Sequence, residues 1–122
     1  MTSDEHDVSC PVDLAPAAAL FRSLGDVTRL MIVHELARGE RRIVDLTHAV
    51  GLAQSTVSAH MACLRDCGLV EGRPVGRQVL YRLTHPELLT VLAAAEQLLA
   101  ATGNAVALRP VYGDAGRRAV GA

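Results

Sequence analysis

The chain has no tryptophan, one phenylalanine and two tyrosines among its 122 residues. A core without aromatic bulk must be filled by aliphatic side chains, so an all-α or α-rich single domain is expected. An excess of charge is also lacking, since twelve basic and thirteen acidic residues leave a formal net charge of −1. That excludes a polycation that coats nucleic acid non-specifically, and any DNA contact has to rest on a local arginine patch. No uninterrupted apolar run approaches the roughly 18 residues that a spanning helix needs. The acidic, His-containing start has neither the basic nor the apolar region of a signal peptide, so a cytoplasmic protein with no membrane partner is expected. No Ser-His-Asp pattern, phosphate loop, carboxylate pair or C-x-x-C motif supports catalysis, and neither an enzyme nor an organic cofactor is expected. Cysteine is scarce and odd in number, three in all. In a reducing compartment that number suits thiolates for metal or redox chemistry better than a disulfide frame.

What is present is organised around residues 54–68, QSTVSAHMACLRDCG. Val57, Met61 and Leu64 recur at helical period and form a core stripe, and Gly68 supplies a stop. Gln54, Ser55, Thr56 and Ser58 crowd the first turn with short polar side chains suited to reading a DNA groove. Cys63 and Cys67 follow one turn apart, about 5–6 Å at Cβ. Both sulfurs therefore point the same way and can close on a single ion. His60 lies beside them, in a structural or phosphate-contacting role.

The remainder frames this helix. Residues 1–13 form a polar, flexible arm that carries His6 and Cys10, and a thiol on such an arm can fold over a site that is missing a ligand. A first helix begins at Pro16, with Ala18, Phe21 and Leu24 as its stripe before Gly25. Asp26 is placed to cap a second helix over 27–38, on which Leu30, Val33, His34 and Ala37 share a face; His34 reads as a structural histidine. A short helix over 43–50 and a turn at Gly51-Leu52-Ala53 lead into the organising helix, which is the helix-turn-helix pattern. Ala53 stands at its N-cap, so the helix starts later with Ser55 capping, or starts uncapped and weaker by about 1 kcal/mol.

After Gly68 the pattern becomes extended: Leu69-Val70, a loop over 71–77 holding Gly72, Pro74 and Gly76, then an alternating strand over 78–83. Such a hairpin behind a helix-turn-helix is a wing, with Arg73 and Arg77 suited to phosphates or a minor groove. Thr84 is expected to cap a last helix over 85–103, with Pro86 near its start. Leu88, Leu89, Leu92, Ala95, Leu98 and Leu99 give it more aliphatic face than one small domain buries. The economical use is a symmetric helix–helix dimer to which the first helix contributes, setting two recognition helices on two half-sites. The expected units are the arm 1–13, a DNA-binding and dimerisation body 14–102 and a mobile tail 103–122.

The run over 24–83 resembles the ArsR/SmtB family of metal-responsive winged-helix repressors. LGDVTRLMIVHEL is similar to its second helix, VDLTHAVGLAQSTVSAHMACLRDCGLV to its helix-turn-helix and GRQVLYRL to its wing. The resemblance implies a mainly α fold with a small β-hairpin, a homodimer and operator double-stranded DNA as partner. Cys63 and Cys67 in SAH-x-x-C-L-R-x-C-G-L-V look most similar to the cadmium- and lead-sensing branch typified by CmtR, which adds a third thiolate elsewhere. That branch carries the third cysteine in the C-terminal tail, where this chain has none, which leaves Cys10 as its replacement. The cysteine pair that other branches place before the turn is replaced by Arg42-Ile43-Val44-Asp45-Leu46. A zinc- or nickel-type site on the last helix keeps His85 and Glu87 but has Leu98 and Ala101 near its later positions, so it counts as lost.

Three thiolates suit Cd(II) or Pb(II), and As(III) also takes three. Zn(II) would prefer a fourth ligand such as His6, His60 or an acid of the arm. The resemblance thus implies a repressor that binds its operator metal-free and is released by cadmium or lead, with arsenite or zinc as the alternative. A second alternative is a repressor whose Cys63 and Cys67 form a reversible disulfide. That geometry is strained on one helix, because disulfide Cβ atoms sit about 3.5–4.5 Å apart.

Overall fold

The computed structural model describes residues 13–110. Within them run α1 (Ala15–Leu24), α2 (Val27–Leu36), α3 (Ile43–Val50), α4 (Gln54–Asp66), β1 (Val70–Val75), β2 (Gln78–Leu83) and α5 (Glu87–Ala101). This is the mainly helical winged helix-turn-helix that the residue pattern implies.

Local chemistry sets the boundaries. Asp26 is extended and its carboxylate accepts the Arg29 N–H at 3.0 Å, which starts α2 where the cap was expected. The helix ends at Leu36, short of Arg38, because Arg38 and Gly39 donate to Glu35 and Leu36, only three residues back. At α3 the Asp45 carboxylate accepts the Arg42 N–H at 2.9 Å and also takes the Arg42 guanidinium. Gly51, at φ 72°, closes α3 with its N–H on Thr47 O. Of the two starts open to α4 the uncapped one is found: Ala53 is the extended N-cap residue with no side-chain bond.

The core gathers Ile32, Val33 and Leu36 from α2, Leu46 from α3, Val57, Met61 and Leu64 from α4, Leu69 and Val70, and Leu88 and Leu92 from α5. The α4 stripe is as expected, at 0, 1 and 0 % exposure. Each such side chain contributes roughly 1.5–3 kcal/mol of burial, which fixes the rotation of α4 and turns its polar first turn outward.

Three expectations need correction. The wing is a regular antiparallel pair, Val70 opposite Leu83 through Val75 opposite Gln78, and only Gly76 and Arg77 lie in the turn. Arg73 and Pro74 therefore belong to β1 and not to a loop. Arg41 bridges Tyr81 on the far side of β2, which makes β1 the outer strand, where proline is tolerated. Thr84 does not cap α5: its hydroxyl donates to Gly68 O, and Pro86 stands at the N-cap without a side-chain bond. On α1 the side turned inward is Leu20, Ser23 and Leu24, while Phe21 of the expected stripe is 64 % exposed.

Beyond α5 the segment after Gly103 returns along the helix. The Glu96 carboxylate accepts the N–H groups of Leu108 at 2.7 Å and Arg109 at 3.1 Å and pairs with the Arg109 guanidinium at 3.3 Å. Leu108 thereby walls a cleft of about 320 Å³ lined by Val27, Leu30, Met31, His34 and Val50. His34 is half-buried there. The arm, including His6 and Cys10, and the tail past 110 lie outside the described residues. Among the described residues no helix is long and apolar enough to cross a membrane.

Candidate nucleic-acid interface and metal centre

Gln54, Ser55, Thr56 and Ser58 are all exposed at the start of α4, while Val57 among them points into the core. The left-handed turn at Gly51 sets α3 behind this face. The uncapped start leaves the first N–H groups of α4 open, with the positive end of the helix dipole behind them. Such an end attracts a phosphate.

The wing's arginines differ in what they hold. Arg73 donates from Nη2 to Glu40 at 2.7 Å, so it is drawn back onto the body. Arg82 pairs with Glu71, its cross-strand neighbour. Arg77 stands exposed in the turn and has no ion-pair partner among the described residues. Beside that turn, at the start of β2, Arg42 Nη1 reaches Gln78 at 3.3 Å and ties the start of α3 to the wing. The hydrogen bonds from the Arg42 guanidinium, with its N–H second, hold the Asp45 carboxyl down at about 2.

The C-terminal half of α4 carries free thiols at Cys63 and Cys67, both half-buried. They converge on one point. Ser23 of α1, 2 % exposed, sets its Oγ 2.7 Å from Cys67 Sγ and 3.6 Å from Cys63 Sγ. Cys67 Sγ also lies 3.8 Å from Ala19 O, one turn earlier on α1. The pair thus sits in the seam between the first helix and the recognition helix.

Ser23 is fastened in turn by Arg29, whose Nε donates to Ser23 O at 2.7 Å and whose Nη2 donates to Arg22 O at 3.1 Å. Arg29 Nη1 lies 3.1 Å from His60 Nδ1. A guanidinium can only donate, so Nδ1 is the acceptor there. The Asp26 carboxylate stands 3.9 Å from the same nitrogen. Its carboxyl is held below the usual range mainly by the Arg29 N–H. His60 is therefore half-buried and anchored inward through Nδ1.

Among the described residues no three His, Cys, Asp or Glu side chains are grouped to hold an ion. The thiol pair is a two-sulfur donor set, which suits soft cations and leaves room for a further ligand. At the two positions set aside from the sequence, Arg42 and Asp45 are engaged with each other, and His85 and Glu87 are exposed and 4.0 Å apart. Ser23 and Arg29 were not singled out from the sequence. Their one visible signal is a lone hydroxyl four residues after Ala19 in an Ala- and Leu-rich helix.

The profile described as "Bacterial regulatory protein, arsR family" matches residues 26–72, from the α2 cap into β1. Over 111 residues, 88 % of this chain and 94 % of the other, the sequence is 36 % identical to the HTH-type transcriptional regulator CmtR of Mycobacterium tuberculosis. Over 91 residues, 75 % of this chain and 71 % of the other, it is 37 % identical to a probable mercury resistance operon repressor of Streptomyces lividans. The homodimeric winged helix-turn-helix DNA-binding domain Mb0332 of Mycobacterium bovis superposes with a TM-score of 0.65 at 32 % identity, covering 71 % of this chain and 80 % of that one. The chain belongs to the arsR family of bacterial regulatory proteins, and it is a transcriptional regulator and not an enzyme.

Proposed function

We propose that the protein is a homodimeric repressor that holds operator DNA while metal-free and releases it when a thiophilic metal is bound by Cys63 and Cys67, with Cys10 of the arm as third thiolate. The observation that carries this reading is the sharing of one helix. The exposed polar turn of α4 and the two convergent thiols are separated by only two helical turns, so a shift that seats an ion also moves the DNA-reading end. Similarity to CmtR over nearly the whole chain supports it.

Gln54, Ser55, Thr56 and Ser58 read the groove, and Arg77 contacts the backbone. Arg73 joins it on leaving Glu40, and His60 braces the helix from behind. Dimerisation uses the apolar side chains that the single chain leaves open, Leu14 and Phe21 at α1 and Val91 and Leu98 on α5; the Mycobacterium bovis neighbour is itself described as homodimeric. Cadmium or lead is the inducer that a three-sulfur set favours, with arsenite and zinc behind them. Mercury joins the test because of the Streptomyces relative's name. When a metal binds, it replaces thiol protons, so apparent affinity rises with pH until the cysteines are deprotonated.

Parallel cadmium titrations of wild type and Cys10→Ser, read by thiolate-to-metal absorption, test the ligand set. Three sulfurs in wild type and two in the variant support it, whereas equal spectra remove Cys10. Mild peroxide should leave operator affinity unchanged; a loss reversed by reductant would favour the disulfide reading.

A further inference from the structure

We propose that Ser23 is the positioning residue that carries the state of the thiol pair to the first helix, and through it to the dimer. This rests on the metal-release reading above and adds the part that transmits it. Three observations support it. The Ser23 hydroxyl is buried and contacts both sulfurs, at 2.7 and 3.6 Å. The same residue's carbonyl is clamped by Arg29, which also meets His60 on the recognition helix. Two positions away on α1, Phe21 is 64 % exposed on the opposite side. One residue therefore joins the thiols, through Arg29 the middle of the recognition helix, and an apolar face open to a second subunit.

The chemistry gives the joint two states. A serine hydroxyl has one proton to donate and two lone pairs to accept with. With both thiols protonated, Ser23 can donate to one sulfur and accept the S–H of the other, which uses its proton and one of its two lone pairs inside the seam. A metal held by Cys63 and Cys67 would replace both thiol protons, which leave to solvent, and would use one lone pair of each sulfur. The hydroxyl would then lose the S–H that it accepted, while the coordinated sulfur, a thiolate that keeps further lone pairs, would still accept its proton. One of its two bonds would be lost and the other redirected toward the ion-bound sulfur, so the register of α1 on α4 would change. The metal-free contact thus holds the two helices in the register that suits DNA.

The test uses the full-length dimer with Ser23→Ala and Ser23→Thr, cadmium as probe and two readouts: thiolate-to-cadmium absorption and operator affinity by fluorescence anisotropy. Wild type should lose operator affinity on cadmium within the range of about 5–150-fold usual for such coupling. Ser23→Ala should show the wild-type absorption yet lose no more than about twofold in operator affinity, well short of the wild-type range, and Ser23→Thr, which keeps the hydroxyl, should restore most of the response. An undiminished response in Ser23→Ala overturns the proposal, as does loss of its cadmium absorption, which would make Ser23 part of metal capture. Amide exchange on wild type gives an answer that needs no variant: cadmium should speed exchange over residues 19–24 of α1, and unchanged exchange there counts against the coupling. If wild type binds cadmium and keeps its DNA, cadmium is not an inducer and the coupling proposed for it falls.

Discussion

Arg73 lies against Glu40, donating from Nη2 at 2.7 Å, and is thereby withheld from the surface that its place on the wing would otherwise offer to DNA. Arg77, at the tip, has no such partner among the described residues. Each phosphate neutralised on B-DNA contributes about −0.9 to the slope of log affinity against log salt. Arg77→Ala should therefore reduce the slope by about one unit per subunit at every sequence tested, and Arg73→Ala by less. Glu40→Gln frees Arg73 and should tighten binding at low salt. No change in Glu40→Gln would mean that Arg73 never reaches the backbone.

Gly51 and Gly72 are needed for different reasons, and their alanine variants should separate them. At Gly51 a Cβ would meet nothing within 4 Å, but φ is 72°, so the substitution is strained by conformation alone. The expected loss is about 1–2 kcal/mol, read as a lower unfolding midpoint with the same far-ultraviolet spectrum. At Gly72 a Cβ would come 2.7 Å from Val79 Cγ1 and 2.9 Å from Tyr81 Cε1. Gly72→Ala should therefore push Tyr81 aside and speed amide exchange at Tyr81 and Arg41, whose mutual bonds of 2.8 and 3.0 Å fasten the wing. Unaltered exchange at both would show that the wing gives way elsewhere.

The Asp45 carboxyl titrates at about 2 in the folded chain, against an ordinary 3.8, because Arg42 stabilises its charged form. A depressed carboxylate stabilises the fold above its unfolded value, and that contribution disappears as pH falls through the folded one. The Arg42–Asp45 contact should thus be fully effective above about pH 4 and lost toward pH 2. Asp45→Asn should lower stability at neutral pH and flatten this part of the acid limb in unfolding followed by circular dichroism. An acid limb identical to that of wild type would show that the pair contributes nothing.

The helix-turn-helix was legible because its signals are local. Val57, Met61 and Leu64 repeat at helical period, and Gly51 marks the one backbone position that turns left-handed between α3 and α4. The wing was legible in kind but not in extent: Gly72, Pro74 and Gly76 in five residues read as a loop, yet an outer strand accepts Gly72 and Pro74 and only Gly76 falls in the turn. Thr84 has a capping residue's chemistry, and what it bonds, Gly68 O, lies sixteen residues away. Ser23 was invisible for the same reason, since its contacts to Cys63 and Cys67 span forty and forty-four residues. Phe21 shows the converse: the sequence marks it as apolar, and only the packing says which apolar residues of α1 the single chain leaves uncovered.

The most direct measurement is a fluorescence-anisotropy titration of operator-bound wild type with cadmium, lead, arsenite, zinc and mercury, with Cys67→Ser alongside. The account predicts that at least one thiophilic ion lowers operator affinity by about 5–150-fold and that Cys67→Ser stays bound. Retention of DNA by wild type in all five ions, or equal release from Cys67→Ser, would contradict it.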